Sequence, residues 1–165
     1  MSSFFPRHST TFRVEDVTDL RKLSLSLVET AVLAGVALRL LRAVWLNTLG
    51  AGWISLVGYG ALFAVVLLGS VAAHLANFTV RRWLWRAPLW AAVEAIAEAL
   101  TSLVLIWGRR EPLGSGSADF HDWPSLALET LAERVGLVAA FALVLAGVVQ
   151  AVRRILAPRA RALPR

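Results

Sequence analysis

The feature that most constrains this chain is a series of four apolar stretches, each about the ~20 residues a helix needs to cross a ~30 Å hydrocarbon core. The first runs from about Leu23 to Trp45 and the second from about Trp53 to Val80. The third covers Pro88 to Trp107, and the fourth covers about Val135 to Val152. With 58% apolar residues in a chain of 165 and a mean hydropathy of +0.65, there is more apolar surface than a soluble domain of this size can bury. The expected fold is an all-α integral membrane protein, a four-transmembrane-helix bundle over residues 23–156. Residues 1–22 and 157–165 are then cytoplasmic tails, and 108–134 is an outer loop. The lipid bilayer is the first partner implied.

Orientation follows from the basic residues. Twelve of the seventeen fall on one predicted side: Arg7, Arg13, Arg21 and Lys22; Arg81, Arg82 and Arg86; Arg153, Arg154, Arg159, Arg161 and Arg165. The first loop, Leu46 to Gly52, has none. An excess of Lys and Arg marks the cytoplasmic face, so both termini are expected there. The N-terminus is too polar for a cleavable signal peptide, and Ala, Val, Leu and Arg dominate in the manner of a GC-rich bacterial gene. A bacterial inner (cytoplasmic) membrane is the expected location. Val14, Val17, Leu20 and Leu23 recur at i+3 spacing between charged residues, predicting a short interfacial helix before the first span. Trp45, Trp53, Trp83, Trp85, Trp90, Trp107 and Trp123 fall near the expected headgroup levels.

Several functions are disfavoured. The chain has no cysteine, which removes disulfides, thiolate zinc sites and thiol redox chemistry. Its arginines cluster at apolar borders, so nucleic acid is not an expected partner. No nucleophile triad, phosphate-cradling loop, Glu-x-x-His metal motif or axial histidine pair is present. The expectation is no enzyme activity, no metal and no cofactor.

Two segments suggest duplication. Arg21-Lys-Leu-Ser-Leu-Ser-Leu-Val-Glu29 parallels Arg86-Ala-Pro-Leu-Trp-Ala-Ala-Val-Glu94, and Val80-Arg-Arg-Trp-Leu84 parallels Val152-Arg-Arg-Ile-Leu156. The chain can be read as two tandem helical hairpins, spans 1–2 and 3–4. That layout resembles the small proton-coupled drug exporters of the bacterial transmembrane-pair type. It departs from them in lacking their His-Ala step, since Ser24–Leu27 and Leu89–Ala92 contain no histidine.

Ionisable groups at membrane depth cost roughly 2.5–3.5 kcal/mol each on insertion scales, which makes them functional candidates. Glu29 and Glu94 lie about 8–9 Å inside the cytoplasmic border at ~1.5 Å per residue. His74 falls at a similar level, and Glu98 stands one turn beyond Glu94 on the same face. Two desolvated carboxylates one turn apart do not both ionise cheaply, so one is expected to carry a proton. Glu94, Glu98, Glu29 and His74 therefore form a candidate proton or cation site, with Thr101 and Leu105 continuing the stripe. Arg39 and Arg42 can snorkel outward, or Arg39 can reach Glu98 across a level difference of about 8 Å. Gly58, Gly60, Gly69, Ala73, Gly136 and Ala140 allow close helix approach within the bundle or between copies. Glu129 and Glu133 read as a solvated, anionic helix start.

Two functions fit. One is a small ion- or proton-coupled transporter or channel-like protein, working as a homo-oligomer. The other is a non-catalytic accessory or assembly subunit bound to other membrane subunits.

Overall fold

A computed structural model describes residues 27–114 and 116–161, with side chains to residue 155. The interfacial segment around Val14–Leu23 and the first four residues of the expected first span lie outside the described residues. Among the described residues four helices carry the fold: α1 (Leu27–Leu49), α2 (Trp53–Ala76), α3 (Val80–Trp107) and α4 (Trp123–Arg161). A two-residue ladder pairs β1 (Pro112–Leu113) with β2 (Gly116–Ser117) antiparallel, just after α3.

Three of these helices are long and apolar enough to cross a membrane: α2, α3, and α4 over Trp123–Ile155. The first helix has the length, at 23 residues, but Glu29, Arg39 and Arg42 interrupt its apolar run. The exterior is largely apolar. Trp53 is 75% exposed and Trp107 80% exposed, and Val57, Val65, Ile96, Leu100, Val104, Leu128 and Val144 also face outward. The buried set includes Arg39, Glu94, Glu98, Glu111 and Arg134. Charges inside and hydrocarbon outside suit a lipid surround and not water.

The turns differ from the sequence expectation. The apolar run of the second span reaches Val80, but α2 stops at Ala76, with Asn77 at its C-cap. Thr79 is extended (φ −68°, ψ 146°) and opens α3, where the Arg82 N–H reaches the Thr79 carbonyl at 2.8 Å. Arg81, Arg82 and Arg86 thus sit on the first turns of a helix, and Pro88, expected at a helix start, lies well inside one. Its missing N–H leaves the Leu84 carbonyl without the usual helical donor. At the other end α4 is one helix of 39 residues, about 58 Å at ~1.5 Å per residue. It begins at Trp123, so the second half of the expected outer segment 108–134 is helical, in line with the helix start read at Glu129 and Glu133, and the expected tail at 157–165 is helical to Arg161.

Packing is unequal. The central helix is α3, which meets α4 and α1 extensively, whereas α2 leans mainly on α1 and barely touches α4. The pairing of α1 with α3 is parallel: Trp90 Nε1 donates to Thr30 Oγ1 at 3.1 Å, and further along Arg39 Nη2 donates to Ser102 Oγ at 3.0 Å. Between these contacts Gly35 seats the helices together. A Cβ on Gly35 would collide with the Glu94 carbonyl oxygen. Ala31, Ala34, Ala87, Ala91 and Ala142 keep the core narrow around Leu38, Leu67, Val71, Leu75 and Val138.

The two hairpins are therefore not equivalent in packing. The matching Val-Arg-Arg segments also occupy different places, since Val80–Leu84 opens α3 while Val152–Leu156 lies late in α4.

Candidate functional site

The site forms where α1, α3 and α4 converge on a buried charge network. From α3, Glu98 is held by Arg134 of α4 through two bonds, Nε to Oε1 at 3.2 Å and Nη2 to Oε2 at 3.3 Å. Arg39 of α1 approaches the same carboxylate from the other side, Nη1 to Oε2 at 3.8 Å. It also donates to Glu111, from Nε at 3.1 Å and from Nη2 at 2.5 Å. Arg42 Nη1 shares that Glu111 carboxylate at 2.9 Å. Bidentate guanidinium–carboxylate pairing suits such burial because the planar fork satisfies both oxygens at once.

Glu111 reaches this place through the end of α3. Gly108 caps the helix, Arg109 takes a left-handed conformation (φ 52°), and two backbone bonds close the turn. Arg109 N–H meets the Ile106 carbonyl at 2.9 Å, and Arg110 N–H meets that of Leu105 at 2.7 Å. This is the Schellman closure, with Arg where glycine is usual. It swings the chain back over the bundle, and the Ala118 N–H to Glu111 carbonyl bond at 2.9 Å ties the hairpin down. Glu111 ends up fully buried.

Beside this network lies Glu94, with no exposed surface. Among the described residues no hydrogen-bond partner reaches either of its carboxylate oxygens. It lies in the fields of Glu98, one turn along α3, and of Arg134 on α4. Without it, charge balance rests on the exposed Glu133. Arg39, Arg42 and Arg134 bring three positive groups to the two carboxylates of Glu98 and Glu111. Glu133 touches Arg134 at 3.4 Å, but from a side chain 61% exposed.

The structure brings together only part of the group expected from sequence. Glu94 and Glu98 share the buried face of α3. Glu29 is exposed on α1 and does not enter the buried layer. His74 is buried against Phe78, their ring centroids 5.2 Å apart, and its Nε2 has no hydrogen-bond partner. The charge beside it is Arg86, whose guanidinium carbon stands 3.7 Å from the Phe78 ring centroid.

The inward stripe of α3 continues through Ser102 and Ile106, while Thr101 is spent on its own helix, donating to the Ala97 carbonyl at 2.7 Å. Arg39 turns inward to Glu98 and does not snorkel. Trp83 and Trp90, expected at headgroup level, are buried in the bundle. Glu111 and Arg134 escape sequence reasoning as site residues because each lies beyond the apolar run that marks its span. Their one sequence signal is a charge within reach of a helix end.

The glycine expectations also change. At Gly60, Gly69 and Gly136 an added Cβ would meet nothing within 4 Å, and Ala73 and Ala140 are exposed. These small pairs therefore face out of the bundle. Gly58 alone of the six meets another helix, with the Trp45 ring 3.2 Å from where a Cβ would stand. The close approach inside the bundle belongs to Gly35.

Two polar cavities adjoin the network and share Arg42. One, of about 320 Å³, lies among α1, α2 and α4 and is also lined by Arg39 and Arg134. The other, of about 610 Å³, lies toward the hairpin, between the α1–α2 turn and Pro112, Gly114 and Gly116. No protein-family model, curated protein or solved structure matches the chain.

Proposed function

We propose that this chain is a four-span, multi-pass protein of the bacterial inner membrane, with both termini cytoplasmic, that couples proton binding to transport. It is not an enzyme in this reading, and Glu94 is its proton site. The observation that carries the reading is a buried carboxyl with no hydrogen-bond donor, set beside a network holding three arginines against two carboxylates. With Glu94 ionised the network is balanced; with Glu94 protonated it keeps one excess positive charge. Arg134 is the group able to respond, since it is bound to Glu98 and also feels Glu94. A charge pair at ~4 Å is worth about 4 kcal/mol at an effective dielectric of ~20, enough to bias a helix packing. Arg42 lines both the cavity beside this network and the one at the hairpin end.

The test is a pH jump on proteoliposomes adsorbed to a solid-supported membrane. Wild-type protein is expected to give a charge displacement that Glu94→Gln removes. An undiminished current in the variant would overturn the assignment. Glu98→Gln is a poorer test, because it strands Arg134 and disturbs stability as well.

A specific observation favours a second reading, an accessory or assembly subunit. The pairs Gly69/Ala73 and Gly136/Ala140 point outward, where another helix can approach closely. Native mass spectrometry of protein extracted gently from its own membrane separates the readings. A homo-oligomer supports transport, and a stoichiometric complex with other chains supports the subunit role.

A further inference from the structure

We propose that the cavity among α1, α2 and α4 binds a phosphate–ammonium zwitterion of the ethanolamine phosphate type, either as a lipid headgroup or as the free compound. At about 320 Å³ it falls at the lower end of small-molecule sites, which span ~300–1,000 Å³. Its lining carries both charges the ligand needs, on different helices. Arg42 enters from α1, and Glu129 and Glu133 enter from α4.

The chemistry of each group supports the assignment. Only Nη1 of Arg42 is engaged, by Glu111, and its side chain is 24% exposed. The rest of the guanidinium fork is left to receive phosphate oxygens. Arg39 and Arg134 also line the cavity, each already paired with its own carboxylate. On α4, Glu129 and Glu133 are one helical turn apart and exposed; Glu133 touches Arg134 at 3.4 Å, so Glu129 is the main carboxylate offered to an ammonium group, without further desolvation. Tyr59 of α2 also lines the cavity. A simple anion would meet two carboxylates, and a simple cation would meet three arginines. A ligand bearing both charges satisfies each wall.

Depth points the same way. Arg42 lies about 10 Å from the Leu49 end of α1 and Glu129 about 9 Å from the Trp123 end of α4, at ~1.5 Å per residue. The two charges therefore stand at similar levels below the helix ends nearest the hairpin. The sparse contact between α2 and α4 leaves an entrance from the side.

The test uses the full chain in detergent and calorimetric titration with phosphoethanolamine, inorganic phosphate and ethanolamine. Phosphoethanolamine is expected to bind at least tenfold more tightly than either fragment. Arg42→Gln and the double variant Glu129→Gln/Glu133→Gln are each expected to weaken it tenfold or more. Glu129→Gln alone, which touches no residue of the buried network, is expected to weaken binding as well and remains informative if Arg42→Gln, which loses Glu111, or the double variant, which loses the Glu133–Arg134 contact, misfolds. Nanodiscs then identify the source. Phosphoethanolamine binding blocked in phosphatidylethanolamine but retained in phosphatidylglycerol shows a lipid headgroup; binding retained in both shows the free compound. No binding in detergent, phosphate binding equal to phosphoethanolamine, or full affinity in the double variant would overturn the proposal. Glu94→Gln should keep its affinity, so loss of proton coupling and loss of this site are separately visible.

Discussion

Removing one partner of a buried ion pair leaves the other charge desolvated and uncompensated, typically at 3–5 kcal/mol. Arg134→Gln is therefore expected to lower stability on that scale, and Glu98→Gln to do likewise. In the double variant the stranded charge at this pair is gone, so its loss should fall clearly below the sum of the two. Thermal unfolding in a fixed detergent measures all three, and strict additivity would show that the pair contributes nothing as a pair. Glu94 and Glu98 are legible in the sequence because carboxylates stand out in an apolar run. Their partners are not: Glu111 follows a helix end and Arg134 belongs to another helix, 36 residues from Glu98.

Close approach of α1 and α3 rests on one position. Gly35→Ala would drive a methyl group into the Glu94 carbonyl, and backbone cannot step aside as a flexible side chain can. Overpacking of this kind costs about 1–3 kcal/mol, so the variant is expected to melt lower. By contrast Gly69→Ala meets nothing within 4 Å and should leave the isolated chain at least as stable, because alanine favours helix by about 1 kcal/mol. A lower melting point for Gly69→Ala but not for Gly35→Ala would reverse this assignment of helix contacts. At the end of α3, Arg109 holds a left-handed conformation that costs a non-glycine residue roughly 1–2 kcal/mol. Arg109→Gly should relieve that cost and raise the melting temperature, while Arg109→Pro, with φ fixed near −65°, should release the hairpin and Glu111 with it.

Across the whole molecule, the turn after α1 and the β hairpin share one end, joined by Asn47 Nδ2 donating to the Arg110 carbonyl at 2.9 Å. Arg153 and Arg154 lie on the far stretch of α4. In the four-span arrangement Ala51→Cys and Ser117→Cys should react with an impermeant maleimide on intact cells, and Arg153→Cys only after permeabilisation. The chain has no cysteine of its own, so the labelling is unambiguous; an Arg153→Cys site open from outside would overturn the orientation. By itself the sequence determined a chain of long apolar helices, because apolar length is a local property; it led to an expectation of four spans, and three of the helices described have that length and apolarity. The end of α2 is blurred in the sequence because Phe78 and Val80 carry apolar character past the turn at Asn77–Thr79. Which face of each helix turns inward was a tertiary decision. Helices apolar nearly all round carry little periodicity to mark a core face, so Gly35, Glu111 and Arg134 acquire their roles only when separate elements meet.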